Sequence, residues 1–403
     1  MAASPALGQH SLREQNIALV AREIFGAPTP VSRADVAAAT GLTRATVSAL
    51  VDRLIEARIV VELAPAPARR AGRPAVPLAP APRTIISLGL EVNVGYLAGT
   101  VLDLTGATLA TATVPGDFHA SDPAAVLARL GALTAELLAA ARAVADGARL
   151  AGVRVALPGL VDSATSTLRV APNLGWAELS PVDTSAIAAH TGSAPITIAN
   201  EAKLAALAQV PALGAEAQTA SSFLYVSADV GIGAAIVLDR ELFLGGRGWS
   251  GELGHVVVDP AGPLCQCGAT GCLEQYAGTD AVLRAARLPR GSSVADLLRA
   301  VADGDGPASA ALDRAGHALG AALADFVNLI DVPTVLLGGA YSELADLLEP
   351  VILAELETRV LSAPWSSFMV DRAPVGVGAA TIGGARASLA DVLDDPTPWL
   401  VGA

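Results

Sequence analysis

Residues 249–276 read WSGELGHVVVDPAGPLCQCGATGCLEQY, and they contain every cysteine of a 403-residue chain. Cys265, Cys267 and Cys272 fall within eight residues, and His255 lies ten residues ahead of the first. Three thiolates and one imidazole make a complete tetrahedral zinc set, and Gly262, Gly268 and Gly271 supply the tight turns such a loop needs. With four protein donors no coordination position stays open, so the pattern predicts a structural zinc and not a hydrolytic one. Three ordinary buried thiols, or a redox pair at Cys265 and Cys267, are the other readings. Finding all the cysteines beside one histidine favours the metal.

On both sides of this loop the pattern is α/β. Upstream, residues 84–114 read as three strands in hairpins with a turn at Asp103–Gly106. A long helix (about 123–146), a strand at 151–156 and the strand Ile196–Ile198 follow. That last strand runs to Asn200 and into a helix over 201–209. A second strand set starts at Ser222, with strands at 224–228, 233–238 and 255–258. Helices at about 279–286, 293–303 and 309–331 then lead to a strand at Thr334–Leu337 and to Gly338-Gly339. Each half opens on an antiparallel hairpin, as two α/β lobes of one duplicated plan would.

Composition bounds the rest. A content of 52% hydrophobic and 16% charged residues excludes a disordered chain. The length exceeds the roughly 250–300 residues at which single cores stop growing. Mean hydropathy is high at +0.51, yet the nearest candidate for a membrane span, residues 220–238, holds Asp229 and a Gly-x-Gly. That suits a strand-turn-strand better than a membrane span. No basic-then-apolar leader opens the sequence, and three cysteines make no disulfide framework. The expectation is a soluble, cytoplasmic protein of several domains with no membrane partner.

Charge divides the chain. Residues 1–83 carry ten arginines against six acidic residues, a net of +4, whereas the whole chain stands at −13. A small basic module joined to an acidic body suggests that the module meets a polyanion. Leu12, Ile17, Leu19, Val20 and Ile24 recur at helical spacing. Ser32, with Asp35 three residues on, reads as the N-cap of a short helix, and Thr43 as the cap of a second running to about Ala57. Leu42, Val47, Leu50, Val51, Leu54 and Ile55 form that helix's inner face. Ile59–Val61 and Val76–Leu78 would be two short strands flanking an Ala/Pro/Arg-rich loop, and Pro80 and Pro82 read as a linker that puts the boundary near residue 83. Helix, glycine turn, helix and β-ribbon is the layout of a winged helix-turn-helix. Its DNA-facing residues would be Ser32, Arg33, Thr43, Arg44, Ala45, Thr46 and Ser48, with Arg69, Arg70 and Arg73 as a basic wing for the minor groove. A three-helix protein-interaction domain with solvated arginines is the plainer reading. The basic ribbon and local charge excess favour DNA.

The segment 249–276 resembles the signature of the ROK family of sugar kinases and sugar-responsive repressors: Gly-Glu-x-Gly-His, then Cys-x-Cys-Gly-x-x-Gly-Cys-Leu-Glu. Leu157-Pro158-Gly159, Asn173-Leu174-Gly175-Trp176, Asn200-Glu201-Ala202 and Leu337-Gly338-Gly339 fall in family order, so the resemblance spans nearly all of 84–390. Residues 11–78 resemble the DNA-binding half of the family's repressor branch. The resemblance implies a two-lobed α/β actin-like ATPase (ribonuclease H-like) fold behind a winged helix-turn-helix at 1–83. The first lobe would be 84–200 plus a C-terminal helix at about 379–392, and the second 201–378 with the zinc loop. It further implies that Gly159, Asn173, Asn200, Glu201, Glu252, His255 and Glu274 hold a sugar, His255 giving one ring nitrogen to zinc and the other to the ligand. Carboxylates and carboxamides suit neighbouring sugar hydroxyls. Taken singly, Glu252 and Glu274 read as solvated charges and Asn200 as a helix cap.

The phosphate machinery departs from the family pattern. In place of Asp-x-Gly-x-Thr stands Glu91-Val92-Asn93-Val94-Gly95. The second loop, usually Gly-Thr-Gly-x-Gly, is Ala228-Asp229-Val230-Gly231-Ile232-Gly233, and Glu201 replaces the catalytic Asp. No catalytic residue is assigned. The expectation is a sugar-responsive regulator, a repressor acting as a homodimer or tetramer, with operator DNA and a sugar or sugar phosphate as partners. A sugar kinase with an appended DNA-binding domain, or a regulator answering to a transport protein, is the alternative.

Overall fold

Ile85–Val92 is buried at every position, as a strand covered on both faces must be, and it forms the middle of a five-stranded sheet. The computed structural model describes residues 9–64, 76–213 and 221–400. On one side of Ile85–Val92 lie Tyr96–Asp103 and then Thr108–Pro115, both antiparallel. On the other lie Arg149–Leu157 and Ile196–Asn200, both parallel. The second sheet repeats this plan. Phe223–Ala228 is central, Ile232–Leu238 and the two-residue Glu241–Leu242 follow antiparallel, and Thr334–Gly339 and Met369–Arg372 follow parallel. Two sheets with one strand order bear out the duplicated plan. The strand expected at 255–258 is absent. Leu253–His255 is instead a single 3-10 turn, and only Val257 makes a bridge, to Cys272. The cysteine loop claims that backbone, so it is not free to extend the sheet.

Helix Pro123–Val144 covers the first sheet, burying Leu127, Leu130, Leu133 and Leu137. It is long and apolar enough to cross a membrane by composition alone, which the sequence reading passed over, but half of its apolar window is buried in the lobe. Gly306–Ile330 and Ala340–Arg359, the latter not anticipated, cover the second sheet. Between the lobes run Glu201–Ala212 and Ala379–Asp394, packed against each other. Their contact is close: a Cβ on Gly383 would lie 1.7 Å from the Leu204 carbonyl oxygen, so no larger residue fits there. Around them the core is built of small side chains, among them Ala156, Ala199, Ala205, Ala208, Ala379 and Ala380.

At the N-terminal end, helices Gln9–Gly26, Arg33–Thr40 and Arg44–Glu56 pack on a small sheet in the order Val31–Ser32, Pro77–Pro80, Val60–Glu62. Ser32 and Asp35 form a full capping box, and Thr43 caps the third helix. Ile17, Val20 and Ile24 are buried as expected, whereas Leu12 and Leu19 face solvent. Pro80, expected in a linker, closes the middle strand, and the chain beyond it is tied down. Ala81 N–H donates to Ile59 O, and the Thr84 hydroxyl to Arg58 O. The module does not keep a core of its own. Its Ile24, Val36, Leu50 and Leu54 form one cluster with Ile85, Leu102 and Leu104 of the first sheet and with Ala385, Leu389 and Val392 of the last long helix. Arg149 stitches this junction: it donates to Ala57 O at 2.5 Å and Trp399 O at 3.0 Å, and its guanidinium lies over the Trp399 ring.

Candidate functional site

The cysteine loop folds back on itself through hydrogen bonds from Cys265 N–H to Ala269 O and from Gly271 N–H to Pro263 O. A Cβ on Gly271 would collide with the Asp259 carbonyl, so glycine is required at this crossing. The fold brings together the four ligand atoms of His255, Cys265, Cys267 and Cys272, all within 4.8 Å of one another. Cys267 Sγ lies 3.6 Å from Cys272 Sγ, and Cys265 Sγ lies 3.9 Å from His255 Nδ1. A tetrahedron of thiolates at the usual zinc–sulfur distance has edges of about 3.8 Å, so the donors fit one metal ion.

Next to this knot the two lobes face each other across a cleft. Gly159 and Asn173 line it from the first lobe, Asn200 and Glu201 from the strand-to-helix junction, and Glu252, His255 and Glu274 from the second lobe. All seven residues expected to hold a sugar therefore converge. Each is placed by a local device. Asn173 sits on the 3-10 turn Pro172–Leu174 between two short strands. Glu252 follows Gly251, whose φ of +91° and whose contact with the Ala234 carbonyl let the turn lie directly on strand Ile232–Leu238. Asn200 is indeed a helix cap: its Oδ1 accepts from Lys203 N–H, and its Nδ2 donates to Gly159 O and Glu201 Oε2. Its polar atoms are thus engaged within the protein, and they hold Glu201 and Gly159 in place.

Sequence reasoning missed Lys203 and Gln266. Gln266 lines the cleft between two of the thiols. The Lys203 ammonium is largely buried and donates to Gly248 O, beside the turn that carries Glu252. The available signal was one lysine in an arginine-rich chain, three residues after Asn200.

At the phosphate-loop positions the two departures from the kinase pattern meet. Asn93 Nδ2 donates to Asp229 Oδ2 at 3.0 Å, joining the lobes. Behind the pair is a cavity of 620 Å³ lined by Glu91, Tyr96, Glu201, Tyr225 and Gly339, among others. The Tyr96 hydroxyl donates to Glu91 Oε1. Burial, with Asp229 nearby, pushes the Glu91 carboxyl up to about 7. Burial likewise raises the Glu201, Asp229 and Glu252 carboxyls.

In the N-terminal module Thr43, Arg44 and Ala45 are exposed at the start of helix Arg44–Glu56, with Thr46 and Ser48 half-buried beside them. The Thr43 and Thr46 hydroxyls bond each other, and Ser32 bonds Asp35. Arg33 is paired with Asp52 and Glu62, which braces the module. Arg69, Arg70 and Arg73 lie outside the described residues.

Residues 87–390 match the family model described as "ROK family". A xylose repressor of Bacillus spizizenii is 27% identical over 376 residues, covering 93% of this chain and 95% of that one. A crystal structure of a ROK family transcriptional regulator, a homologue of the Escherichia coli Mlc protein, superposes with a TM-score of 0.80 at 28% identity, covering 97% of this chain and all of the other. A ROK hexokinase from Thermus thermophilus superposes with a TM-score of 0.61 at 27% identity, covering 76% of this chain and 99% of its own.

Proposed function

This chain belongs to the ROK family, and on that premise we propose that it is a sugar-responsive transcriptional repressor whose first 83 residues form a winged helix-turn-helix. One observation carries the reading. The N-terminal module shares a continuous core with the lobe that walls the cleft, which ties the position of the module to that lobe. The repressor relatives extend over that module, and the hexokinase matches a share of the chain that fits the two lobes alone. Arg44, Thr46 and Ser48 would meet base edges, and the arginines Arg69, Arg70 and Arg73, outside the described residues, would add positive charge for DNA. Site and partners imply a cytoplasmic protein.

His255, Cys265, Cys267 and Cys272 would hold a structural zinc, which supplies a rigid knot and no reaction step. His255 would turn Nδ1 to the metal and offer Nε2 to the ligand, fixing the imidazole at the cleft wall. Glu252 and Glu274 from the second lobe, Asn173 from the first and Glu201 from the helix between them would accept from sugar hydroxyls. A ligand that touches both lobes favours their closed arrangement by its differential affinity for the two states. In a homodimer, closing shifts the spacing of the paired recognition helices. Half-sites about one helical turn apart tolerate little mis-spacing, so the operator is released.

The hexokinase likeness supports a second reading, a kinase with an appended module. Against it stands the Asn93–Asp229 bond, which puts a carboxylate where phosphates would need backbone donors. Two measurements decide. Operator fragments from upstream of the chain's own gene should bind with a steep salt dependence and be released by sugar, and DNA should weaken sugar binding by the same factor. With Mg-ATP and a panel of sugars no phosphorylation should exceed background. Robust turnover, or release of DNA by Glu252→Ala at the wild-type sugar concentration, overturns the assignment.

A further inference from the structure

We infer that the cleft takes an uncharged sugar and excludes sugar phosphates and sugar acids. This deepens the reading of the cleft as an effector site and rests on it. Four carboxylates line the cleft, those of Glu201, Asp229, Glu252 and Glu274, and neither an arginine nor a lysine is among its lining residues. The adjoining cavity adds Glu91, Asp280 and Glu343, again with no arginine or lysine. Scarcity of arginine is not the cause, because arginine supplies all but one of the 26 basic residues of the chain.

A phosphate dianion is normally met by an arginine fork, a lysine or a free helix N-terminus. Among the described residues none of these lines the cleft itself; the starts of helices Ala340–Arg359 and Ala379–Asp394, which have no side-chain cap, line the adjoining cavity instead. The Lys203 ammonium lies beside the cleft, but it is engaged with Gly248 O and faces Glu252 and Glu201. The His255 ring is turned toward the thiols. Helix Glu201–Ala212 does start at the cleft, but Asn200 Oδ1 already accepts from its Lys203 N–H, and its first residue is itself acidic. The positive end of that helix is thus answered from within the chain. Hydroxyl groups find the reverse situation, since each carboxylate accepts from two neighbouring hydroxyls without a net charge entering the site.

The test is calorimetry on the full-length, zinc-replete protein at physiological ionic strength. The probes are xylose, glucose, glucose 6-phosphate, glucuronate and inorganic phosphate. A neutral sugar should bind, and the anionic compounds should bind at least about a hundredfold more weakly, as burying an anion with no lining cation to pair it requires. Asp229→Asn and Glu274→Gln, which keep shape and remove charge, should each narrow the gap between glucose and glucose 6-phosphate. A general loss of fold would not do that. If glucose 6-phosphate or glucuronate binds as tightly as glucose, and Glu252→Ala abolishes that binding, the cleft is an effector site but the inference is wrong. If no probe binds, the effector reading of the cleft falls and takes the inference with it.

Discussion

Glu91→Gln should stabilise the protein in a strictly pH-dependent way. Glu91 lies on the central strand Ile85–Val92, is 4% exposed, and accepts from the Tyr96 hydroxyl at 3.0 Å. Burial first, and the Asp229 carboxylate second, lift its carboxyl from 4.5 to about 7. A folded-state value raised above the unfolded one means that the native protein holds the proton more tightly. The protonated group therefore costs nothing below pH 4.5, and the native state loses stability as pH climbs from 4.5 through about 7. Each pH unit is worth about 1.4 kcal/mol, so the full loss above the window is about 3 kcal/mol. Glutamine stays neutral and keeps a carbonyl to accept from Tyr96. Melting curves of both proteins should coincide near pH 4.5 and separate through neutrality. The variant should lead by several degrees above about pH 8, at about 2–4 °C per kcal/mol. A variant that melts lower than wild type by the same margin at every pH would refute the reasoning, because the carboxylate would then be a satisfied partner and not a strained one.

Three further outcomes are expected. Cys272→Ser, at a fully buried thiol, should reduce zinc from close to one per chain and lower the melting temperature; a metal-free wild type of full stability would exclude the metal centre. Arg44→Ala should weaken specific operator binding by about 1–3 kcal/mol with a much smaller effect on random duplex, read by fluorescence anisotropy. Arg149→Ala strands the Ala57 and Trp399 carbonyls, so melting should show a loss of about 1–3 kcal/mol. The same variant should need more sugar-free protein to hold operator DNA, and unchanged operator binding would show that the module does not depend on the junction.

What the sequence determined by itself was local. Ser32 with Asp35, and Thr43 with the amides after it, specify helix starts from within one turn, because a cap reaches only two or three residues ahead. The cysteine loop is as legible, since its thiols lie within eight residues and glycines make its turns. The family resemblance brought in the cleft residues. Tertiary structure decided what depends on distant partners. Asn93 and Asp229 are 136 positions apart, and only the opposed sheets show that each departure satisfies the other. The strand expected at 255–258 failed because an apolar run cannot say whether its amides will be claimed by a sheet or by a loop. Nothing local marks Lys203 as a site residue; its role depends on Gly248, 45 positions away, being brought against it. Pro80 reads as linker in any single-sequence view, since proline favours linkers and edges alike; its place in a strand follows from the small sheet formed around it. The union of the N-terminal module with the first lobe was likewise invisible beforehand. Apolar periodicity marks which face of a helix is buried, but not that Ile24 and Leu389, far apart in the chain, are buried against one common core.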